Sequence, residues 1–168
     1  EWDVSRVTDM SGIFVHANSF NSDISKWDVS RVIDMTFMFN VATSFNRDLS
    51  KWDVSRVTDM AGMFAETLFN GDLSKWDVSR VTGMQSMLAF TAFSGDISKW
   101  DVSSVTNMAS MFAEGSFNGV ISKWDVSSAT SMAGMFSKSL FNGDISEWDV
   151  SGVTSMDYMF FDTPSFTR

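Results

Sequence analysis

Tryptophan occurs at Trp2, Trp27, Trp52, Trp76, Trp100, Trp124 and Trp148 and nowhere else, at intervals of 25, 25, 24, 24, 24 and 24 residues. A bulky residue recurring with that period means one structural unit stacked on itself. The surrounding residues repeat almost verbatim: Asp-Ile-Ser-Lys-Trp-Asp-Val-Ser-Arg-Val at 23–32 returns, with Leu for Ile, at 48–57 and 72–81. Each unit touches only its neighbours in such an array, so the chain reads as one repeat array over residues 1–168. Glu1 falls in mid-repeat and the last unit degenerates at Met159–Phe166, which suggests a segment of a longer protein.

The unit at 24–45 sets the expected fold. Trp27 and Val29 are two residues apart, with Lys26, Asp28 and Ser30 on the other parity, the pattern of a short strand. Met35, Met38, Phe39 and Ala42 follow at i, i+3, i+4 and i+7, one face of a helix. Thr58, Thr82, Thr106, Thr130 and Thr154 precede that segment where a cap would stand, and Asp9, Asp34 and Asp59 fall in its first turn. Asn70-Gly71, Asn118-Gly119 and Asn142-Gly143 mark the return to the next strand. The predicted fold class is therefore an α/β solenoid, leucine-rich-repeat-like, with about seven stacked coils. Short parallel strands would line its concave face and short helices its convex face. Trp27, Val29, Val32, Met35, Met38, Phe39 and their equivalents would form one continuous core. The extra residue of the longer units lies after the helix, in a loop able to absorb it.

Composition removes several classes of function. The net charge of −9 offers no basic field to nucleic acid or an acidic membrane. No apolar run is long enough to span a membrane. With no Cys and one His, His16, neither a Ser-His-Asp or Cys-His centre nor a His-rich metal site can be assembled. Carboxylates are plentiful, but each recurs in a row, whereas a catalytic pair breaks the pattern. The expectation is a protein that is not an enzyme and uses no cofactor.

The longer string Phe-Asn-x-Asp-Ile/Leu-Ser-x-Trp-Asp-Val-Ser-x-Val-Thr-x-Met-x-x-Met-Phe stands at Phe45–Phe64, and at Phe93–Phe112 with Ser94 for Asn. It resembles the BspA-like leucine-rich-repeat variant of bacterial surface proteins and lipoproteins. Leu88, Val120, Ala129 and Glu147 depart from that pattern at single positions. The resemblance implies cell-surface or extracellular display and, in some members, adhesion to proteins or to other cells.

A strict repeat turns every position into a row. Lys26, Lys51 and Lys75 stand beside Asp28, Asp53 and Asp77 on the outward parity, with Arg31 and Arg56 close by. These eight are the candidate binding residues of the strand face, for a protein or carbohydrate ligand; a charge-balanced solvated surface is the plainer reading. The Arg row at Arg6, Arg31, Arg56 and Arg80 gives way to Ser104, Ser128 and Gly152, which places the bet on the first half. A second carboxylate row includes Asp48, Asp72 and Asp96, the candidates if calcium stabilises the repeat. Turn-forming Asp bonded to its own backbone is the competing account. The Asn21, Asn46, Asn70, Asn118 and Asn142 row reads as an amide ladder satisfying loop carbonyls. The alternative to a binding module is a spacer or building block of an extracellular appendage, with self-association along the solenoid axis.

Overall fold

The structure, a computed structural model, describes residues 2–167; Glu1 and Arg168, the ends of the predicted array, lie outside the described residues. Successive coils are joined by single parallel bridges: Asp9 to Asp34, Asp34 to Asp59, Asp59 to Gly83, Gly83 to Asn107, Asn107 to Ser131, and Ser131 to Ser155. The coils are stacked and in register. Among the described residues, however, there is no helix, and the strands shrink to those bridges. The predicted α/β solenoid of strands and helices is overturned, and the leucine-rich-repeat architecture with it. The concave sheet and convex helices drop out together.

Turns replace the helix. In the second coil, the Met38, Asn40 and Ala42 amides bond back three residues to the Met35, Phe37 and Phe39 carbonyls. The intervening amides of Met35, Phe37, Phe39 and Val41 reach forward to the Asp59, Ala61, Met63 and Ala65 carbonyls of the next coil. Phe37 and Val41, each third in a closed turn, have φ of 55° and 57°. Positive φ at that position is the mark of a type II turn. The physical reason is room. Backbone bonds hold neighbouring coils about 4.8 Å apart, whereas an α-helix needs roughly 10–12 Å. A helix in every coil would force the bonded layers apart; a flat run of turns does not.

The strand fails for a different reason. Asp23 Oδ1 accepts the Ser25 amide at 2.9 Å and Asp28 Oδ1 the Ser30 amide at 3.1 Å. The Trp27 and Val32 amides close turns on the Ile24 and Val29 carbonyls. These amides are taken within the coil, so no ladder forms there. The link between coils at this corner is the indole: Trp76 Nε1 donates to the Leu49 carbonyl at 3.1 Å and Trp100 Nε1 to the Leu73 carbonyl at 3.0 Å.

The predicted inward set is nonetheless correct. Val29, Val32, Met35, Met38, Phe39, Ala42 and Phe45 are all buried, and their apolar equivalents in the third to sixth coils form one core along the stack, whereas Trp2, Ile13, Val150 and Met156 of the first and last coils are exposed. Trp27 is only half-buried but packs against that core. Phe39 lies on Phe45 at 3.9 Å within its coil and on Phe64 at 5.7 Å in the next. The short loops after the turns are closed by a buried hydroxyl, with Thr67 Oγ1 on the Phe64 carbonyl at 2.7 Å and Thr91 Oγ1 on the Leu88 carbonyl at 2.8 Å. The longer loop of the second coil closes through its backbone, Phe45 amide to Ala42 carbonyl.

Candidate functional site

Lys26, Asp28, Arg31, Lys51, Asp53, Arg56, Lys75 and Asp77 are all exposed. Between them Trp52, Val54, Trp76 and Val78 are buried. The outward parity read from the sequence is therefore right, although turns and not strands produce it. The stack brings the rows into register on successive coils.

The carboxylates of this row are held. Asp28 Oδ1 accepts the Ser30 hydroxyl at 2.6 Å and its amide at 3.1 Å; Asp53 does the same with Ser55 and Asp77 with Ser79. These bonds favour the ionised form, so the Asp28 and Asp77 carboxyls sit below the ordinary carboxylate value. Arg31 adds to the effect on Asp28, and Asp3 one coil away opposes it. The fold thus fixes where the negative charges stand before any partner arrives.

The second carboxylate row serves turns. Asp48, Asp72 and Asp96 accept the amides of Ser50, Ser74 and Ser98, each at 2.9 Å. The Ser50 and Ser74 side chains, then their amides, lower the Asp48 and Asp72 carboxyls; for Asp96 the Ser98 amide leads. Among the described residues no three acidic, His or Cys side chains gather where they could hold a metal ion. Ser74, Lys75, Asp96 and Lys99 line a hollow of about 360 Å³ where the Lys row meets this Asp row.

Three further rows differ from the reading of the sequence. The Thr residues do not cap helices. Thr82 sends both its amide, at 2.8 Å, and its hydroxyl, at 3.2 Å, to the Thr58 carbonyl of the preceding coil, and Thr106 and Thr130 repeat the contact. Asp34 and Asp59 are the bridging residues themselves, and each accepts the amide two residues on, from Thr36 and Ala61. The Asn ladder exists but satisfies amides: Asn46 Oδ1 accepts the Asn70 amide at 3.1 Å, and Asn118 Oδ1 the Asn142 amide at 2.8 Å. His16 lies exposed in the first coil at positive φ.

A second surface escaped the sequence reading. Over the fourth to seventh coils, small residues such as Ala89, Ala113 and Gly134 floor a groove of about 440 Å³, flanked by Phe90 and Tyr158. Its only signal in the sequence is the recurrence of Ala, Ser and Gly at positions that a helix would also turn outward. Among the described residues no helix is long and apolar enough to cross a membrane.

Stacked turn-built coils, of which the second to sixth present the same Lys-x-Asp pair, define a repeat protein whose surface is a set of parallel polar rows. The chain belongs to the family described as Mycoplasma protein of unknown function, DUF285, which matches residues 1–92 and 88–168. No curated protein and no solved structure matches it.

Proposed function

We propose that this chain is a non-catalytic recognition module, displayed extracellularly or at a cell surface, that docks a protein or glycan through its Lys-x-Asp rows. One observation carries the reading. The exposed Asp28, Asp53 and Asp77 carboxylates are each clamped through Oδ1 by a Ser amide and hydroxyl, so the array stands ready-ordered and loses little entropy on docking. The exposed side chains of Lys26, Lys51 and Lys75 stand beside these carboxylates and can face a ligand with them. The resemblance to BspA-like surface proteins supports display outside the cell.

Mixed signs on the surface give a contact of modest salt sensitivity. The probes are a glycan array and a panel of purified extracellular-matrix proteins. Against whichever binds, Lys51→Glu combined with Asp53→Asn should weaken binding about tenfold, the loss of roughly 1.4 kcal/mol; Asn keeps an Oδ1 that can accept from Ser55, so the melting temperature should change little. If changes in the loops at 40–44 and 65–68 abolish binding while the Lys51 and Asp53 changes do nothing, the site lies elsewhere.

A further inference from the structure

One row of the turn segment puts acid and aromatic side by side. Glu66, Phe90, Glu114 and Lys138 hold the same position in the third to sixth coils, with φ of 59°, 57°, 52° and 53°. The Glu66, Phe90 and Glu114 amides donate to the Ala89, Ala113 and Ser137 carbonyls of the coils that follow. All four side chains are exposed. Lys138 answers the Glu one coil before it, with Nζ 3.2 Å from Glu114 Oε1. Phe90 stands in the same relation to Glu66 and brings no charge. Among the described residues Glu66 makes no ion pair.

Phe90 is 49% exposed, at a left-handed φ that costs a non-glycine residue energy. It flanks the groove of about 440 Å³ whose floor includes Ala89, Ala109 and Ala113, with Glu114 also on its lining. The charge around it is one-sided. Lys138 is the only Lys or Arg between the first Met of a coil and the Phe that closes its loop; every other basic residue lies outside those segments. The groove therefore offers apolar surface, an open aromatic ring and negative charge, and in the third and fourth coils it has no cation of its own.

We propose that this groove docks an extended, Arg-bearing segment of a partner protein, with the guanidinium over the Phe90 ring and against the Glu66 carboxylate. Equivalent positions of adjacent coils are ~4.8 Å apart. A cation within about 6 Å of the ring centre therefore also reaches the carboxylate one coil away. A planar guanidinium suits both, since it stacks on the ring and presents a fork to the carboxylate. Its aliphatic stem packs on the alanine floor. The residues that carry the site lie in the third to fifth coils, each joined to a coil on either side. None belongs to the Lys-x-Asp rows, so the two surfaces can fail separately.

Fluorescence anisotropy of a labelled octapeptide of alternating Ala and Arg tests it. The same peptide with citrulline for Arg keeps the shape and drops the charge. The Arg peptide should bind saturably and the citrulline peptide about tenfold more weakly. Glu66→Gln and Phe90→Gly should each weaken the Arg peptide about fivefold. Phe90→Gly should do so with the melting temperature little changed, because glycine takes left-handed φ without strain. If that variant unfolds, Phe90→Asn, which also accepts this φ, replaces it. Asp9→Asn in the first coil removes one charge and keeps the Oδ1 acceptor, as Asn107 does in the same row, and it should leave binding unchanged. A wild-type chain that does not bind the Arg peptide overturns the proposal, and so does equal binding of the citrulline peptide. It also falls if neither Glu66 nor Phe90 matters, or if Asp9→Asn weakens binding as much as Glu66→Gln, since net charge alone would then be the attraction.

Discussion

At the scale of single residues, the recurring device is Asp followed two positions later by Ser. It fixes a turn and takes an amide out of reach of the neighbouring coil. The carboxyls of Asp3, Asp28, Asp77 and Asp125 lie below their ordinary value because of the Ser hydroxyl, then the Ser amide. In the unfolded chain the same groups titrate near the ordinary value of about 3.9. Between the two values the unfolded chain binds more protons, so stability rises with pH. The contribution is complete above the ordinary value and is lost as pH falls through the lowered ones. The net charge of −9 acts the other way, since protonation relieves repulsion. Comparison with a variant separates the two. Replacing Ser30, Ser79 and Ser127 together by Ala should flatten the acid loss of melting temperature measured from about pH 5 downward. If wild type and variant lose it in parallel, these turns do not carry the acid response.

At the scale of the element, one row of turn positions decides between a helix and what is found. Gly12, Phe37, Gly62, Ser86, Ser110, Gly134 and Tyr158 all have φ between 55° and 62°. Left-handed backbone costs a non-glycine residue about 1–2 kcal/mol. Bonds to the next coil hold it there, as the Ser86 amide on the Ala109 carbonyl and the Ser110 amide on the Ala133 carbonyl show. Glycine at these sites relieves the strain. Ser110→Gly should therefore be neutral or stabilise the protein by up to about 1 kcal/mol, read from denaturant unfolding. In a helix the same change would destabilise by about 0.5–1 kcal/mol, so the sign of the effect tells the two backbones apart. The predicted helix at Met35–Ala42 was misread because turns of this kind and a helix turn the same residues inward. Three glycines in one register, Gly12, Gly62 and Gly134, in the middle of that segment were the signal against it. The core and the outward Lys and Asp rows were legible because they depend only on which side chains face in. The backbone was not, because inter-coil spacing is set by bonds between residues 24 or 25 apart, such as Asn46 to Asn21.

At the scale of the whole molecule, a stack is only as cooperative as its weakest junction, since each coil touches only its neighbours. The aromatic column shows where that junction is. Phe14, Phe39 and Phe64 stack at 5.5 Å and 5.7 Å from coil to coil, and Phe112, Phe136 and Phe160 at 5.8 Å and 5.7 Å. Leu88 stands between the two runs, buried, where the pattern calls for Phe. The second column is continuous there, with Phe93 stacked on Phe69 at 6.5 Å and on Phe117 at 6.2 Å. Coils one to three and five to seven are thus joined across the fourth by one aromatic column instead of two. Hydrogen exchange should find the wild-type protein opening in two blocks that meet at the fourth coil. Leu88→Phe completes the column, and an aromatic pair adds about 0.5–1.5 kcal/mol beyond its buried area. The variant should melt higher, and the two blocks should merge into one cooperative unit. A lower melting temperature would mean that the fourth coil has closed around the smaller side chain, since forcing extra volume into a packed core costs about 1–3 kcal/mol.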